Sequence, residues 1–365
     1  MRVIMTGGGT GGHIYPAIAI ADKIKERSEN SEILFVGTKR GLESDLVPKC
    51  GYPIEYITVR GLDRKNLLRN FKVLMDYNKG KKQAEKIIRD FHPDVVIGTG
   101  GYVCGPVVKT AASLGVKTYI QEQNAIPGLT NKMLEKYVEN VFLGFEEAGK
   151  YFRHPEKHIY TGNPVRADFF GANSAANREE LGVSYDKFML LAFGGSQGAG
   201  RINSAMLQVI EKYNGIDKMQ IFFATGRAYY DPIMSDIESR GIELAGNIHI
   251  VEYIDRMEKY LSACDLVVSR SGALTVSEIT VCGTPSILIP SPNVTGDHQT
   301  FNARAIADKG AAILMEESGL DGHSLYMEIE RLRQNRDYLN GMAERCKRLA
   351  PDDATDIIYY TLITA

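Results

Sequence analysis

The chain has 365 residues, 44% hydrophobic and 24% charged, with a formal net charge of −2. At roughly one domain per 150 residues, that length suits about two domains, and the near-neutral balance argues against nucleic acid as a partner. No apolar stretch approaches the ~20 residues that span a bilayer, and the opening residues lack a leader pattern, so secretion is not expected.

The first strand, Val3-Ile4-Met5, runs into the glycine-rich turn Thr6-Gly7-Gly8-Gly9-Thr10-Gly11-Gly12-His13. Glycine permits positive φ and close approach of a ligand, and a helix that follows such a turn aims free N–H groups and a positive dipole end at an anion. Gly7, Gly9 and Gly12 also fit G-x-G-x-x-G, the dinucleotide fingerprint. The second strand, Ile33-Leu34-Phe35-Val36, ends in Gly37-Thr38-Lys39-Arg40. An Asp or Glu would bind the NAD ribose there. NAD is thus disfavoured, and NADP, whose extra phosphate would meet Lys39 or Arg40, stays as an alternative. His13 falls at the helix start, where the dipole favours neutral imidazole, a form suited to a general base. Capping the turn or positioning a phosphate is the competing role.

Between Arg60 and Arg89 the chain carries ten Lys/Arg against three Asp/Glu. Leu67, Leu68, Phe71, Leu74 and Met75 fall on one helical face, with Arg64, Lys65, Arg69 and Lys72 nearby. The stripe either packs on its own sheet or docks on anionic lipid. A second glycine turn follows in Val95-Val96-Ile97-Gly98-Thr99-Gly100-Gly101-Tyr102. After the next strand, Gln121-Glu122-Gln123-Asn124 supplies Glu122 as a rival base. The first half closes at Thr161-Gly162-Asn163-Pro164, and the polar segment 171–177 reads as a linker.

The second half repeats the device at Leu190-Leu191-Ala192-Phe193-Gly194-Gly195-Ser196-Gln197-Gly198. This string also fits G-x-S-x-G, the elbow of α/β-hydrolases, for which Asp265 and His298 would complete a triad. The preferred role for Ser196 is a hydroxyl donor to phosphate. The fourth turn is Leu266-Val267-Val268-Ser269-Arg270-Ser271-Gly272-Ala273. Glu278, one helical turn beyond Leu274, is placed to accept both hydroxyls of a ribose; stabilising the helix start is its simpler role. From Leu320 the pattern is helical, broken by Pro351 before the apolar Ile357-Ile358-Tyr359-Tyr360, and nothing in the sequence says which domain receives that last helix.

Continuous apolar strands alternating with helices predict α/β, doubly wound sheets covered on both faces. Domains are expected at 1–163 and 164–340, with C-terminal helices over 341–365. The five scattered cysteines contain no C-x-x-C and read as free thiols of a reducing compartment. No metal-ligand spacing is present, so no metal and no cofactor is expected. A diphosphate would be neutralised by helix dipoles and by Arg166, Arg201 or Arg270.

Six strings stand together in one order: Gly8-Gly9-Thr10-Gly11-Gly12-His13, Gly100-Gly101-Tyr102-Val103 with Gly105-Pro106, Glu122-Gln123-Asn124, Gly162-Asn163-Pro164-Val165-Arg166, Gly194-Gly195-Ser196-Gln197-Gly198 and the run from Arg270 through Glu278. In these strings, and over essentially its whole length, the chain resembles the MurG family of bacterial N-acetylglucosaminyltransferases. The resemblance implies a GT-B-type fold, two Rossmann-like doubly wound domains facing a cleft that closes before chemistry. It implies an inverting, metal-independent transfer of N-acetylglucosamine from UDP-N-acetylglucosamine to the 4-hydroxyl of the muramyl sugar of lipid I. The product is lipid II for peptidoglycan synthesis. It further implies a peripheral enzyme on the cytoplasmic face of the cell membrane, with the stripe from Leu67 to Met75 against anionic lipid. Thr10, Gly11 and Gly12 carry over as a diphosphate turn, Asn124 and Gln299 as donor-sugar contacts, and Arg166 and Ser196 as donor-phosphate contacts. Ile254 carries over as the backbone that reads uracil. Ala273, Leu274, Thr275, Val276, Ser277 and Glu278 form the nucleotide loop, with Glu278 on the ribose. The base is His13 or Glu122.

Overall fold

The computed structural model describes residues 1–61, 67–195 and 197–364, with side chains at all of these except 67–72, 74 and 295. The chain divides into two compact units, Met1–Val165 together with Pro351–Ala365, and Arg166–Ala350.

The first unit holds one sheet of parallel strands: β1 (Arg2–Gly7), β2 (Glu32–Gly37), β3 (Ile54–Tyr56), β4 (Val95–Gly100), β5 (Lys117–Glu122), β6 (Asn140–Leu143) and β7 (His158–Tyr160). They lie in the order β3-β2-β1-β4-β5-β6-β7. Central β1 pairs Val3 with Ile33 on one side and with Val95 on the other. The connecting helices are α1 (Gly11–Arg27), α2 (Glu43–Lys49), α3 (Leu67–Phe91), α4 (Cys104–Ser113) and α5 (Leu129–Leu134). Side chains alternate across a strand, so Val3 and Met5 pack with Ile14, Ile18 and Ala21 of α1. On the other face Ile4 and Val96 pack with Val107, Val108 and Ala111 of α4. Burial on both faces is why these strands read as continuous apolar runs.

In the second unit α6 (Ser174–Glu180) precedes β8 (Phe188–Phe193), α7 (Gly200–Tyr213), β9 (Met219–Ala224), α8 (Arg227–Ser239), β10 (Ile248–Val251) and α9 (Met257–Ala263). Then come β11 (Leu266–Ser269), α10 (Ala273–Cys282), β12 (Ser286–Leu288), α11 (His298–Ala307), β13 (Ala312–Leu314), α12 (Gly322–Gln334) and α13 (Arg336–Leu349). The sheet order is β10-β9-β8-β11-β12-β13. Its core joins Leu190 and Ala192 to Ile202, Met206 and Val209 of α7 and to Leu325, Ile329 and Leu332 of α12.

Residues 341–365 are divided between the units at Pro351. Helix α13 stays with the second unit, where Met342 and Cys346 are fully buried and the Cys346 thiol faces the Ile279 and Thr284 carbonyls. The last helix, α14 (Ala354–Thr364), packs on α1 through Ile358 and Leu362. Lys23 of α1 fixes its start through Asp353 at 3.1 Å and Asp356 at 3.6 Å. Gly162, at φ +76°, makes room for this return, because a Cβ there would stand 2.2 Å from Pro351.

Both sheets reverse their winding once, between β1 and β4 in the first and between β8 and β11 in the second. Open α/β sheets bind ligands at the carboxyl ends of strands at such a switch point. The four glycine turns found in the sequence follow β1, β4, β8 and β11.

Candidate active site

In the first unit the turn after β1 is tied to neighbouring turns. Gly8 N–H donates to the Gly100 carbonyl at 3.3 Å. The buried Glu43 carboxylate accepts from Gly9 N–H at 3.0 Å, from Thr38 N–H at 3.0 Å and from the Thr38 hydroxyl at 2.8 Å. A Cβ on Gly8 would stand 2.6 Å from that carboxylate. The dinucleotide alternative weakens here, because the Gly9 amide, part of the G-x-G-x-x-G that would cradle a pyrophosphate, is already held by the Glu43 carboxylate. Sequence reading missed Glu43; its signal was an acid opening the helix after the second strand.

Thr10 caps α1 with extended backbone and no side-chain capping bond, and the first turn carries no acidic residue. The amides of Gly11 and Gly12 are therefore at a positive helix end suited to an anion. His13 is half-buried. Its carbonyl accepts from the Thr99 hydroxyl at 2.7 Å, and its Nδ1 lies 2.9 Å from Gln123 Oε1. Gly100, at φ +110°, gives the ring its place: a Cβ there would come within 2.6 Å of Nδ1. The second glycine turn thus serves a side chain, where the sequence had suggested a phosphate.

Glu122 is 1% exposed. One carboxylate oxygen accepts from Asn124 N–H at 3.0 Å and Asn124 Nδ2 at 3.2 Å, the other from Gly128 N–H at 3.0 Å and Asn131 Nδ2 at 2.9 Å. Four donors fill the lone pairs of this buried carboxylate. They shape the 124–131 segment and hold the half-buried Asn124 in place.

In the second unit the turn after β8 is one of close backbone approach. A Cβ on Gly194 would stand 2.3 Å from Ala199 N, and one on Gly198, at φ +75°, 2.1 Å from the Thr225 carbonyl oxygen. Ser196 lies outside the described residues. The hydrolase alternative loses its acid: Asp265 precedes β11, at the end of the sheet opposite this turn. Its carboxylate is committed to Arg178 at 3.1 Å, Arg336 at 2.9 Å and the Met189 amide at 2.7 Å.

Helix α10 starts after Gly272 without a side-chain cap or an acid in its first turn. The run 273–278 separates by depth. Val276 and Ser277 are buried, and the Ser277 hydroxyl donates to the Ala273 carbonyl at 3.0 Å, whereas Leu274, Thr275 and Glu278 are half-buried. Withdrawal from water pushes the Glu278 carboxyl up to about 7, with Glu258 adding to the rise and Arg166 opposing it. Among the described residues, none donates a hydrogen bond to it. Arg166 is half exposed and 3.5 Å from Glu258. Arg270 is committed to the Ile289 and Pro290 carbonyls at 3.1 and 3.0 Å and to Glu317, which removes it from the candidate phosphate ligands. Ile254 has a buried side chain, and its main-chain amide and carbonyl engage no described residue. Gln299 accepts from Ser291 N–H at 2.8 Å, and its amide nitrogen has no partner among the described residues. No group of three His, Cys, Asp or Glu among the described residues is arranged to hold a metal ion.

The N-terminal domain model of glycosyltransferase family 28 matches residues 3–143, and the C-terminal domain model matches 189–357. A UDP-N-acetylglucosamine–N-acetylmuramyl-(pentapeptide) pyrophosphoryl-undecaprenol N-acetylglucosamine transferase of Desulforamulus reducens is 49% identical over 98% of this chain and 97% of its own length. The protein of the same name from Acetivibrio thermocellus is 45% identical, over 98% and 96%. The crystal structure of Acinetobacter baumannii MurG superposes with a TM-score of 0.80 at 26% identity, covering 100% of this chain and 99% of that one. The fold is accordingly GT-B-like, built of two Rossmann-like units. From its end-to-end likeness to these transferases, the chain belongs to glycosyltransferase family 28 and, within it, to the MurG family.

Proposed function

We infer that the protein is a glycosyltransferase that moves N-acetylglucosamine from UDP-N-acetylglucosamine to the undecaprenyl-diphosphate-linked muramyl peptide, lipid I, giving lipid II. The observation that carries this reading is the placement of the glycine turns at the switch points of both sheets, in a chain matching named transferases along its length.

In the proposed mechanism the 4-hydroxyl oxygen of the muramyl sugar attacks C1 of the donor sugar in line. The C1–O bond to UDP breaks with inversion, His13 takes the hydroxyl proton, and the leaving electron pair stays on the diphosphate. His13 is preferred over Glu122 because the Glu122 lone pairs are filled. The first unit holds the acceptor, with Thr10, Gly11 and Gly12 at its diphosphate. The second unit holds the donor. Arg166, Ser196 and the open start of α10 at Ala273, Leu274 and Thr275 neutralise the departing phosphate, without a metal. Glu278 accepts the ribose hydroxyls and the Ile254 main chain reads uracil. Asn124 and Gln299 contact the donor sugar.

No helix among the described residues is long and apolar enough to cross a membrane. The protein docks peripherally on the anionic cytoplasmic leaflet through the basic start of α3. Most side chains of the 67–75 stripe lie outside the described residues; Met75 is 61% exposed. Phe71→Asp with Leu74→Asp should release the protein from anionic vesicles while leaving turnover on a short-chain soluble acceptor intact. A parallel loss of both would make the stripe core.

Calorimetric titration with UDP-N-acetylglucosamine in a chelator, with NADPH in parallel, tests the donor. Saturable binding of the sugar nucleotide alone is expected, and binding of NADPH alone would overturn the reading.

A further inference from the structure

We propose that Gln123 is a positioning residue that fixes the tautomer of His13, leaving Nε2 as the lone-pair nitrogen that accepts the proton; this rests on His13 as the base. The argument is one of donors and acceptors. The Gln123 amide nitrogen faces the Thr99 carbonyl at 2.7 Å, the Gln121 carbonyl at 3.2 Å and the Gln121 side-chain oxygen. Carbonyl oxygens only accept, so the NH₂ of Gln123 must lie on that side; the flipped amide would set oxygen against oxygen at 2.7 Å.

The same logic propagates outward. Gln121 Nε2 donates to the Glu122 carbonyl at 3.2 Å and to Asn163 Oδ1 at 3.0 Å, and Asn163 Nδ2 donates to the Gln123 carbonyl at 3.0 Å. Each amide is oriented by a main-chain carbonyl, and Gln121, Gln123 and Asn163 are all 2% exposed or less. Gln123 Oε1 is left facing His13 Nδ1 at 2.9 Å. An amide oxygen only accepts, so Nδ1 must carry the proton in the neutral ring. Nε2 then holds the lone pair. A carboxylate usually orients a catalytic imidazole in this way; a neutral amide does so here without stabilising the imidazolium by a full charge. Asn163 belongs to the string Gly162-Asn163-Pro164, which the transferase reading had left without a role.

The test is the ¹⁵N spectrum of histidine-labelled protein, with His13 assigned by its loss in His13→Ala. Wild type at alkaline pH should show the Nδ1–H tautomer. Gln123→Met, which keeps the length and removes the acceptor, should shift His13 toward Nε2–H. It should also lower kcat by roughly 10²-fold, the scale of a general-base contribution, with KM for UDP-N-acetylglucosamine unchanged. A wild-type Nε2–H tautomer overturns the proposal even if Gln123→Met does not fold. A Gln123→Met protein that keeps Nδ1–H, or keeps its kcat, overturns it too. An active His13→Ala would instead sink the base assignment, and the wild-type tautomer would still be read independently.

Discussion

The turns after β1 and β8 share a pattern of strand, glycines and helix, at equivalent switch points of two sheets, yet they are built for different occupants. In the first unit the space is filled from within: the Glu43 carboxylate takes the Gly9 amide, and Gly100 makes room for the His13 ring. In the second, glycines let backbone meet backbone at Gly198 and Gly226, the start of α10 has no side-chain cap, and the Glu278 carboxyl has no donor among the described residues. Glycine reports close approach, and only the neighbours say what approaches. In the proposed mechanism one unit supplies a reactive side chain held in advance, the other a site that a ligand completes.

The sharpest way to break this comparison is to remove one group from each unit. His13→Ala is expected to lower kcat by ~10²- to 10⁴-fold while leaving UDP affinity intact; equal losses in both would show that His13 binds rather than reacts. Glu278→Gln should do the reverse. Losing charged hydrogen bonds worth about 1.5–3 kcal/mol weakens UDP-N-acetylglucosamine binding by roughly 10- to 100-fold, with kcat at saturation little changed.

The raised Glu278 pKa gives the comparison a pH signature. A carboxyl whose folded pKa, about 7, lies above its ordinary 4.5 destabilises the folded state where it is ionised. That cost is fully present above pH ~7 and absent below ~4.5. Glu278→Gln should therefore raise the melting temperature of the unliganded protein at about pH 8 and leave it unchanged near pH 4.5. Donor affinity should fall as pH drops through ~7, because the ribose diol needs the ionised carboxylate. A flat affinity profile would place the ribose elsewhere.

The smallest effect separates the glycines themselves. Gly100 and Gly195 both have positive φ, +110° and +86°, but an added Cβ meets the His13 ring at Gly100 and nothing within 4 Å at Gly195. Gly195→Ala should cost only backbone strain of about 1–2 kcal/mol. Gly100→Ala adds a displaced imidazole, so thermal unfolding should show a larger loss, accompanied by a drop in turnover. Equal losses would mean that the second turn does not serve His13.

Much of this was legible in sequence, because the signals are local. Burial on two faces makes strands such as Val3-Ile4-Met5 and Leu190-Leu191-Ala192 continuous in apolar residues, and positive φ demands glycine in the turns after β1, β4 and β8. These features give an α/β protein with glycine turns in both halves. The order of the motif strings then pointed to the family.

Tertiary structure decided the rest, because hydrogen-bond partners and burial depend on residues far apart in the chain. Whether Glu122 or His13 has a lone pair to offer rests on Asn131 and Gly128 reaching one and Gln123 the other. Arg270 looked like a phosphate ligand until the Ile289 and Pro290 carbonyls claimed it. The apolar last helix carried no address; Lys23, 330 residues before Asp353 in the chain, supplies it with a buried charge that needs a partner. Sequence specified which elements form and which turns are special, and the fold chose which side chains those turns expose.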